Sequence, residues 1–489
     1  MQNIATRKKN KIIYLNLFVS AVILLIINLT GTRESFGFML FFGVVIAMIY
    51  GTLLLLEVKY FTGLSLNLPL LVGYCTRIVQ PTLEKSWGAM NGDQYYFLIE
   101  QNDINDYMFP TAVWINIYYM IFYWCLLRYA KNFTIEDSIR PFFTRYEIPR
   151  FTIPLFIIGI TYNIVTSYIP AGFIPGIVST VFDKLTLLAI IAQMFDALFN
   201  PTKRKRRIFE IFIILSIWQT VVFGFYKGVI MMNIMYYILY LFLDSRYHSK
   251  RLLSGKFIVV CASVFLIIDL VLYPFMETKR VVAGWDVAGA QVATVEYSNW
   301  KILQDVLDGK SVYERGQVKT SGRMDAIPPN AFFYKECCEK GLRTSELAKS
   351  NLELLVPRFI NPNKHKAEAG LMTYAYAVHG SFNSKDIAVS NNYVGQFASA
   401  YLIGGWLFVI LAAFINGWFT IFYYNFLIKY NNNILAILFL MPLIINALLA
   451  YEENHDAGVL TIGYNAIMMA GIFFTTKFAS GLFCIRKKI

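Results

Sequence analysis

Apolar runs of span length recur along nearly the whole chain, separated by short polar turns. One polar stretch of 119 residues, Met276 to Val394, interrupts them. A hydrocarbon core about 30 Å thick takes roughly 20 apolar residues per helix, and an open strand would leave its edge groups unsatisfied in lipid. The runs therefore predict transmembrane helices at Ile12–Thr30, Gly37–Leu56, Phe61–Gln80, Pro110–Tyr129, Phe151–Tyr168, Ile177–Phe199, Ile208–Phe225, Val229–Leu243, Phe257–Phe275, Gly395–Leu427, Ile434–Tyr451 and Val459–Phe478. The expected fold class is an all-α polytopic membrane protein of about twelve spans with one large outer loop. Residues 1–275 form helices 1 to 9, residues 276–394 the loop with amphipathic helices, and residues 395–489 helices 10 to 12, the run from Gly395 being overlong for one span.

Composition agrees with this pattern: 57% hydrophobic residues, 15% charged and a mean hydropathy of +0.51 lie outside the balance of a soluble globular chain. The charges orient the spans, because excess lysine and arginine in short loops stays cytoplasmic. With the N-terminus inside, the inner segments carry 23 lysines and arginines, among them Arg7 to Lys11 and the run Lys203 to Arg207. The short outer turns carry 3: Arg33, Lys85 and Lys227. Both termini are expected in the cytoplasm and the long loop outside. The net charge of +13 reflects this inner excess, and no soluble basic domain exists to carry nucleic-acid binding. The basic N-terminus followed by an apolar run, with no small-residue cleavage site after it, reads as a retained anchor.

Of the cysteines Cys75, Cys125, Cys261, Cys337, Cys338 and Cys484, only the adjacent pair Cys337 and Cys338 falls in the outer loop, as free thiols or in intermolecular pairing. The outer histidines His365, His379 and His455 are scattered and no helical His pair occurs, so no metal is expected. Ionisable residues within spans are costly in lipid and point at a partner or a wet cavity. Arg77, Asp183, Lys184, Lys227 and Asp269 all fall in the outward half, predicting a shared polar cavity that opens outward. Each alone is also explained by snorkelling to the headgroups. Asp196 and Glu210, near inner ends, read as interfacial.

Within the loop, Ala288 to Asp308 predicts a helix lying on the membrane and stopped by Gly309, and Ala331 to Leu347 predicts a second helix. Pro357 and Pro362 exclude regular helix around Arg358 and hold it on a stiff turn. The order of pieces resembles the oligosaccharide repeat unit polymerases, the Wzy-type O-antigen and capsule polymerases of bacterial envelopes. The resemblance rests on the turn Phe225-Tyr226-Lys227-Gly228, on Gly322-Arg323 with the later Pro357-Arg358 and Asn361-Pro362-Asn363-Lys364, and on the re-entry Gln396 to Trp406. There the chain departs from the family pattern: Ala398 to Ala400 supply no carboxylate, and Gly404 and Gly405 are adjacent.

The resemblance implies a GT-C-like glycosyltransferase of the bacterial inner membrane. It would move a growing glycan from undecaprenyl diphosphate to a lipid-linked repeat unit on the outer face, beside a chain-length regulator and a flippase. No cofactor is implied, since the energy sits in the diphosphate link. A leaving lipid diphosphate calls for fixed cations, and arginine offers phosphate a bidentate fork that lysine lacks. Arg323 and Arg358 are the expected catalytic cations, with Lys227, Arg280 and Lys364 binding the diphosphate. Arg280 lies just outside a span end, where an interface anchor also stands; Arg315 and Arg343 fit surface charges. An acceptor hydroxyl must also lose a proton. Asp325 and His379 are candidate bases, with Asp269, Glu453 and His455 as others. Two rival classes remain: a flippase or transporter, which needs similar cations but neither the 119-residue loop nor an unrepeated chain, and a ligase that differs only in its acceptor.

Overall fold

The computed structural model describes residues 2–31, 35–60, 67–95, 103–129, 140, 143–144, 147–166, 176–223, 227–247, 275, 299–308, 327–341 and 396–429. Every regular element among the described residues is helical. Five of these helices carry stretches long and apolar enough to cross a membrane: Thr6–Thr30, Phe36–Lys59, Asn105–Arg128, Ile148–Thr166 and Ala400–Phe422, with Leu185–Phe199 a shorter apolar one. Phe18, Leu29, Phe41, Leu55, Ile214 and Leu407 are each more than half exposed, and an apolar surface of that extent belongs in lipid. The protein is an all-α membrane protein. The expected spans Phe257–Phe275, Ile434–Tyr451 and Val459–Phe478 lie outside the described residues, apart from Phe275.

The chain divides into two compact units, residues 1–135, 321–429 and 443–469 in one and residues 136–320, 430–442 and 470–489 in the other. Packing thus partitions the chain differently from hydropathy, which separates spans from loop.

In the first unit, α1 (Gln2–Thr30), α2 (Phe36–Lys59), α3 (Asn67–Tyr74), α4 (Gln80–Met90) and α5 (Asn105–Tyr129) form a bundle. α2 and α5 run parallel in register: Phe42 lies against Phe109 at 6.2 Å between ring centroids, Tyr50 OH donates to Asn116 Oδ1 at 3.0 Å, and Tyr123 OH donates to Glu57 Oε1 at 2.7 Å. The contacts recur about every seven residues on both helices, the spacing of a coiled-coil seam. α1 runs against both, with Lys9 on Glu57, Asn16 and Ser20 on Asn116 and Tyr14 on Trp124. Helices in lipid gain no hydrophobic energy from meeting, so close packing at small residues and buried polar pairs must hold them. Gly43 shows the first: a Cβ there would stand 2.8 Å from Leu83 Cδ2.

The third expected span differs from its observed form. A wide π-helical turn, Cys75–Val79, joins α3 to α4 without a break, and the helix runs on to Met90. Pro81 was expected to begin an outer loop. Its ring cannot donate to the preceding turn and crowds that turn's carbonyls, and the widened turn accommodates both effects, so the helix continues.

Two helices complete this unit, α11 (Ile327–Lys340) and α12 (Gln396–Lys429). α12 runs parallel to α5: Asn416 Nδ2 donates to Tyr118 OH at 3.0 Å, and a Cβ on Gly417 would come within 2.6 Å of Cys125 Cβ. The overlong expected span is one helix broken at Gly404–Gly405, where Gly405 takes φ 68 and ψ −161, a conformation essentially confined to glycine. α11 begins at Ile327 and stops at Gly341, with φ 61, rather than spanning Ala331 to Leu347. A left-handed glycine closes the last turn without steric cost.

The second unit contains α6 (Ile148–Thr166), α7 (Gly176–Phe199), α8 (Lys203–Phe223), α9 (Lys227–Tyr247) and α10 (Asn299–Leu307). Gly159 allows α7 close to α6, since a Cβ there would stand 2.7 Å from the Thr186 backbone nitrogen. Phe156 stacks on Phe212 at 3.9 Å, and Asn233 Nδ2 donates to Ser216 Oγ at 2.9 Å. α10 is the described part of the expected helix Ala288–Asp308, and its Leu303 packs on Ile230 and Phe275. Asp196, expected at an interface, is fully buried. Its Oδ1 accepts from Lys205 Nζ at 2.7 Å and from Asn200 Nδ2 at 2.9 Å, which fixes the α7–α8 corner. Glu210 is half-buried, and its Oε1 accepts from Arg206 Nε at 2.8 Å. That hydrogen bond raises the Arg206 guanidinium further above its ordinary value.

Candidate functional site within the first unit

Six of the residues singled out from the sequence, Arg280, Arg323, Asp325, Arg358, Lys364 and His379, lie outside the described residues. So do Asp269, Glu453 and His455. Lys227 is the first residue of α9, and Asp183 and Lys184 lie early in α7; their side chains are outside the description. Arg77 is described, and a site can be built upward from it.

Because the helix continues to Met90, Arg77 does not end a span. About 20 Å of further helical rise follows it and about 15 Å precedes it, at about 1.5 Å per residue, which sets it near mid-depth in the bundle. It sits within the π-helical turn, an irregularity that recurs at functional sites, and is half-buried. A charge at such depth is costly and is retained where it meets a partner, a ligand or water.

Tyrosines surround this level. Tyr74, one residue before the turn, stacks on Tyr119 of α5 at 4.2 Å and 16°, and its ring meets Tyr50 edge-on at 6.0 Å. Arg77 acts electrostatically on Tyr119. On the side of Arg77 toward Met90, two hydroxyls face inward. Thr82 and Thr111 are both fully buried, and among the described residues neither Oγ1 has a hydrogen-bond partner. They occupy one level of the bundle, because Thr82 packs on Gly43 and Phe109, just before Thr111, packs on Phe42. Buried hydroxyls left without partners cost on the order of 1–3 kcal/mol each, a cost that packing of the bundle does not itself repay.

At the level of the tyrosines lie further polar groups. Asn116 Nδ2 donates to Asn16 Oδ1 at 2.6 Å and to Ser20 Oγ at 2.9 Å, and among the described residues Asn16 Nδ2 itself lacks a partner. Two turns further, Lys9, Glu57 and Tyr123 close the opposite end. A column of polar side chains therefore threads the bundle.

α11, from the long polar stretch, is docked at the end opposite Lys9. Asn330 Oδ1 accepts from the Ala398 backbone N–H at 3.0 Å at the start of α12. Lys335 Nζ donates to the Asp103 carbonyl at 2.8 Å, and Tyr107 OH donates to Glu339 Oε1 at 3.1 Å at the start of α5. Tyr334 lies edge-on to Tyr107 at 5.9 Å and to Tyr401 at 4.9 Å.

Sequence reasoning found Arg77 but missed Tyr74, Thr82, Thr111, Asn116 and Tyr119. One signal was available: Phe109, Asn116 and Tyr123 recur every seven residues, marking one face of α5. Among the described residues no three His, Cys, Asp or Glu side chains come together as a metal site. No protein-family model, no curated protein and no solved structure matches the chain.

Proposed function

We propose that this chain is a glycan polymerase of the bacterial inner membrane, with about twelve GT-C-like spans, cytoplasmic termini and the long loop outside. It transfers a growing oligosaccharide from undecaprenyl diphosphate to a lipid-linked repeat unit. The observation that carries the reading is the docking of α11 across the starts of α5 and α12, at the bundle end opposite Lys9. A loop that only connected spans would have no need to be held there by side chains from two helices. In this reading Arg323 and Arg358 stabilise the departing diphosphate, Lys227, Arg280 and Lys364 bind it, and Asp325 or His379 takes the acceptor proton. Arg323 and Asp325 precede α11 by only a few residues in the sequence.

A second reading draws on a different observation. The polar column from Lys9 through Asn116 to Arg77 suits a flippase or transporter, which must offer a polar head a path through lipid. The test is deletion of the gene in its host, complemented by wild type and by Arg323→Ala, Arg358→Ala and Arg358→Lys. Surface glycan length is read together with the level and sidedness of lipid-linked single repeats. Single repeats accumulating on the outer face, for the deletion and for well-expressed arginine variants, support the polymerase. Repeats accumulating inside support the flippase. Long chains left on undecaprenyl diphosphate support a ligase.

A further inference from the structure

We infer that Arg77, with the Thr82 and Thr111 hydroxyls above it, forms an oxyanion site inside the bundle that takes the phosphate groups of a polyprenyl diphosphate. The inference deepens the proposed function, resting on its lipid diphosphate substrate, and adds a subsite within the membrane to the cations expected in the loop.

Four observations meet here. First, Arg77 lies near the middle of a helix that reaches Met90, within three residues of Tyr74, which packs on buried Tyr50 and Tyr119 of α2 and α5. Second, the π-helical turn makes that part of the helix irregular, and irregular backbone at membrane depth is tolerated where it is enclosed by protein or lines a polar cavity. Third, Thr82 and Thr111, on two different helices, present fully buried hydroxyls at one level, with no partner for either oxygen among the described residues. An apolar core has no use for such groups, whereas phosphate oxygens accept from hydroxyl donors and from a guanidinium together. Fourth, Tyr74 and Tyr119 stack beside this level, and Arg77 acts electrostatically on Tyr119, so the guanidinium lies within reach of α5, the helix that carries Thr111. The hydroxyls lie about 7 Å nearer than Arg77 to the α11 end, at about 1.5 Å per residue, so an anion entering from that end meets them first.

Arginine is suited to this position for a specific reason. Its fork offers two parallel N–H groups to two oxygens and is less strongly hydrated than an ammonium, so it loses less on entering a dry site. Lysine keeps the charge without the fork.

The experiment measures thermal unfolding of the full-length protein in detergent with undecaprenyl diphosphate, undecaprenol or inorganic pyrophosphate. Wild type is expected to be stabilised by undecaprenyl diphosphate and not by undecaprenol. In Arg77→Lys the ligand concentration for half the shift rises about tenfold, since losing one charge-assisted bond of the pair is worth about 1.4 kcal/mol. In Arg77→Gln the shift is lost. Thr82→Val with Thr111→Val raises the half-shift concentration several-fold while the unliganded protein becomes no less stable, because orphaned hydroxyls are removed. Stabilisation by pyrophosphate alone, lost with the same variants, keeps the oxyanion site but makes the free anion sufficient. Equal stabilisation by undecaprenol, or an unchanged shift in Arg77→Lys and Arg77→Gln, overturns the inference. So does failure of Arg77→Lys to fold, since that would make the arginine a structural residue. A normal binding pattern in a host whose deletion leaves surface glycan unaltered would sink the polymerase reading and leave the site standing.

Discussion

Lys9 Nζ stands 2.6 Å from Glu57 Oε1, with both side chains 8% exposed, and Tyr123 donates to the same carboxylate oxygen at 2.7 Å. The three groups tie α1, α2 and α5 together at one end of the bundle. Removing one member of a buried pair leaves the other charge uncompensated, at a cost of about 3–5 kcal/mol, whereas apolar replacement of both is often close to neutral. Lys9→Met and Glu57→Leu are each expected to lower the thermal midpoint in detergent by several degrees. The double variant should recover most of the loss; additive losses would show that the pair is not one unit.

Asn116 holds the middle of the same bundle through Asn16, Ser20 and Tyr50. Hydrogen bonds between membrane helices average about 0.6 kcal/mol each, so Asn116→Leu should cost about 1–2 kcal/mol. Combining it with Tyr50→Phe should add little, because Tyr50 has already lost its acceptor. Chemical unfolding of the single and double variants measures this directly.

Two glycines separate packing from propensity. A Cβ on Gly159 would meet the Thr186 backbone, while one on Gly51 meets nothing within 4 Å. Gly51→Ala is expected to be neutral or stabilising by about 0.5–1 kcal/mol, the ordinary gain for alanine within a helix. Gly159→Ala should destabilise, since backbone cannot yield as a flexible side chain does. The order of the two thermal midpoints decides between them, and an equal effect would contradict the close α6–α7 approach.

Asn330 and Tyr334 dock α11. Asn330→Ala removes the acceptor for the Ala398 N–H, a capping contact worth about 1 kcal/mol, and Tyr334→Ala removes the ring between Tyr107 and Tyr401. Both variants should make the segment around α11 more sensitive to added protease in detergent, with the bundle's unfolding midpoint little changed. In the proposed reaction both should also shorten the surface glycan. Loosened cleavage with glycan of full length would separate docking from activity.

Much of this protein is already determined by its sequence. Apolar runs of this length, in a chain 57% hydrophobic, admit only helices in lipid, since backbone groups there must be satisfied within one segment. The presence of α2, α5 and α6 follows for that reason, whereas the stop of α11 at Gly341 does not, since the sequence pattern continues that helix to Leu347. Tertiary structure alone decided where regularity fails. Pro81 looks like a helix end until the π-helical turn before it and the contact of Thr82 and Leu83 with Gly43 carry the helix on to Met90. That extension moves Arg77 from a span end to mid-depth, and hydropathy cannot register it because Gln80 to Met90 is a polar sequence. Gly404 and Gly405 announce a weak point, but only packing settles that α12 breaks there and continues. Asp196 resembles an interfacial acid by position, and its burial depends on Lys205 and Asn200 folding back across a corner. Periodicity reports which residues avoid water, while depth and partnership depend on neighbouring helices far away in the chain.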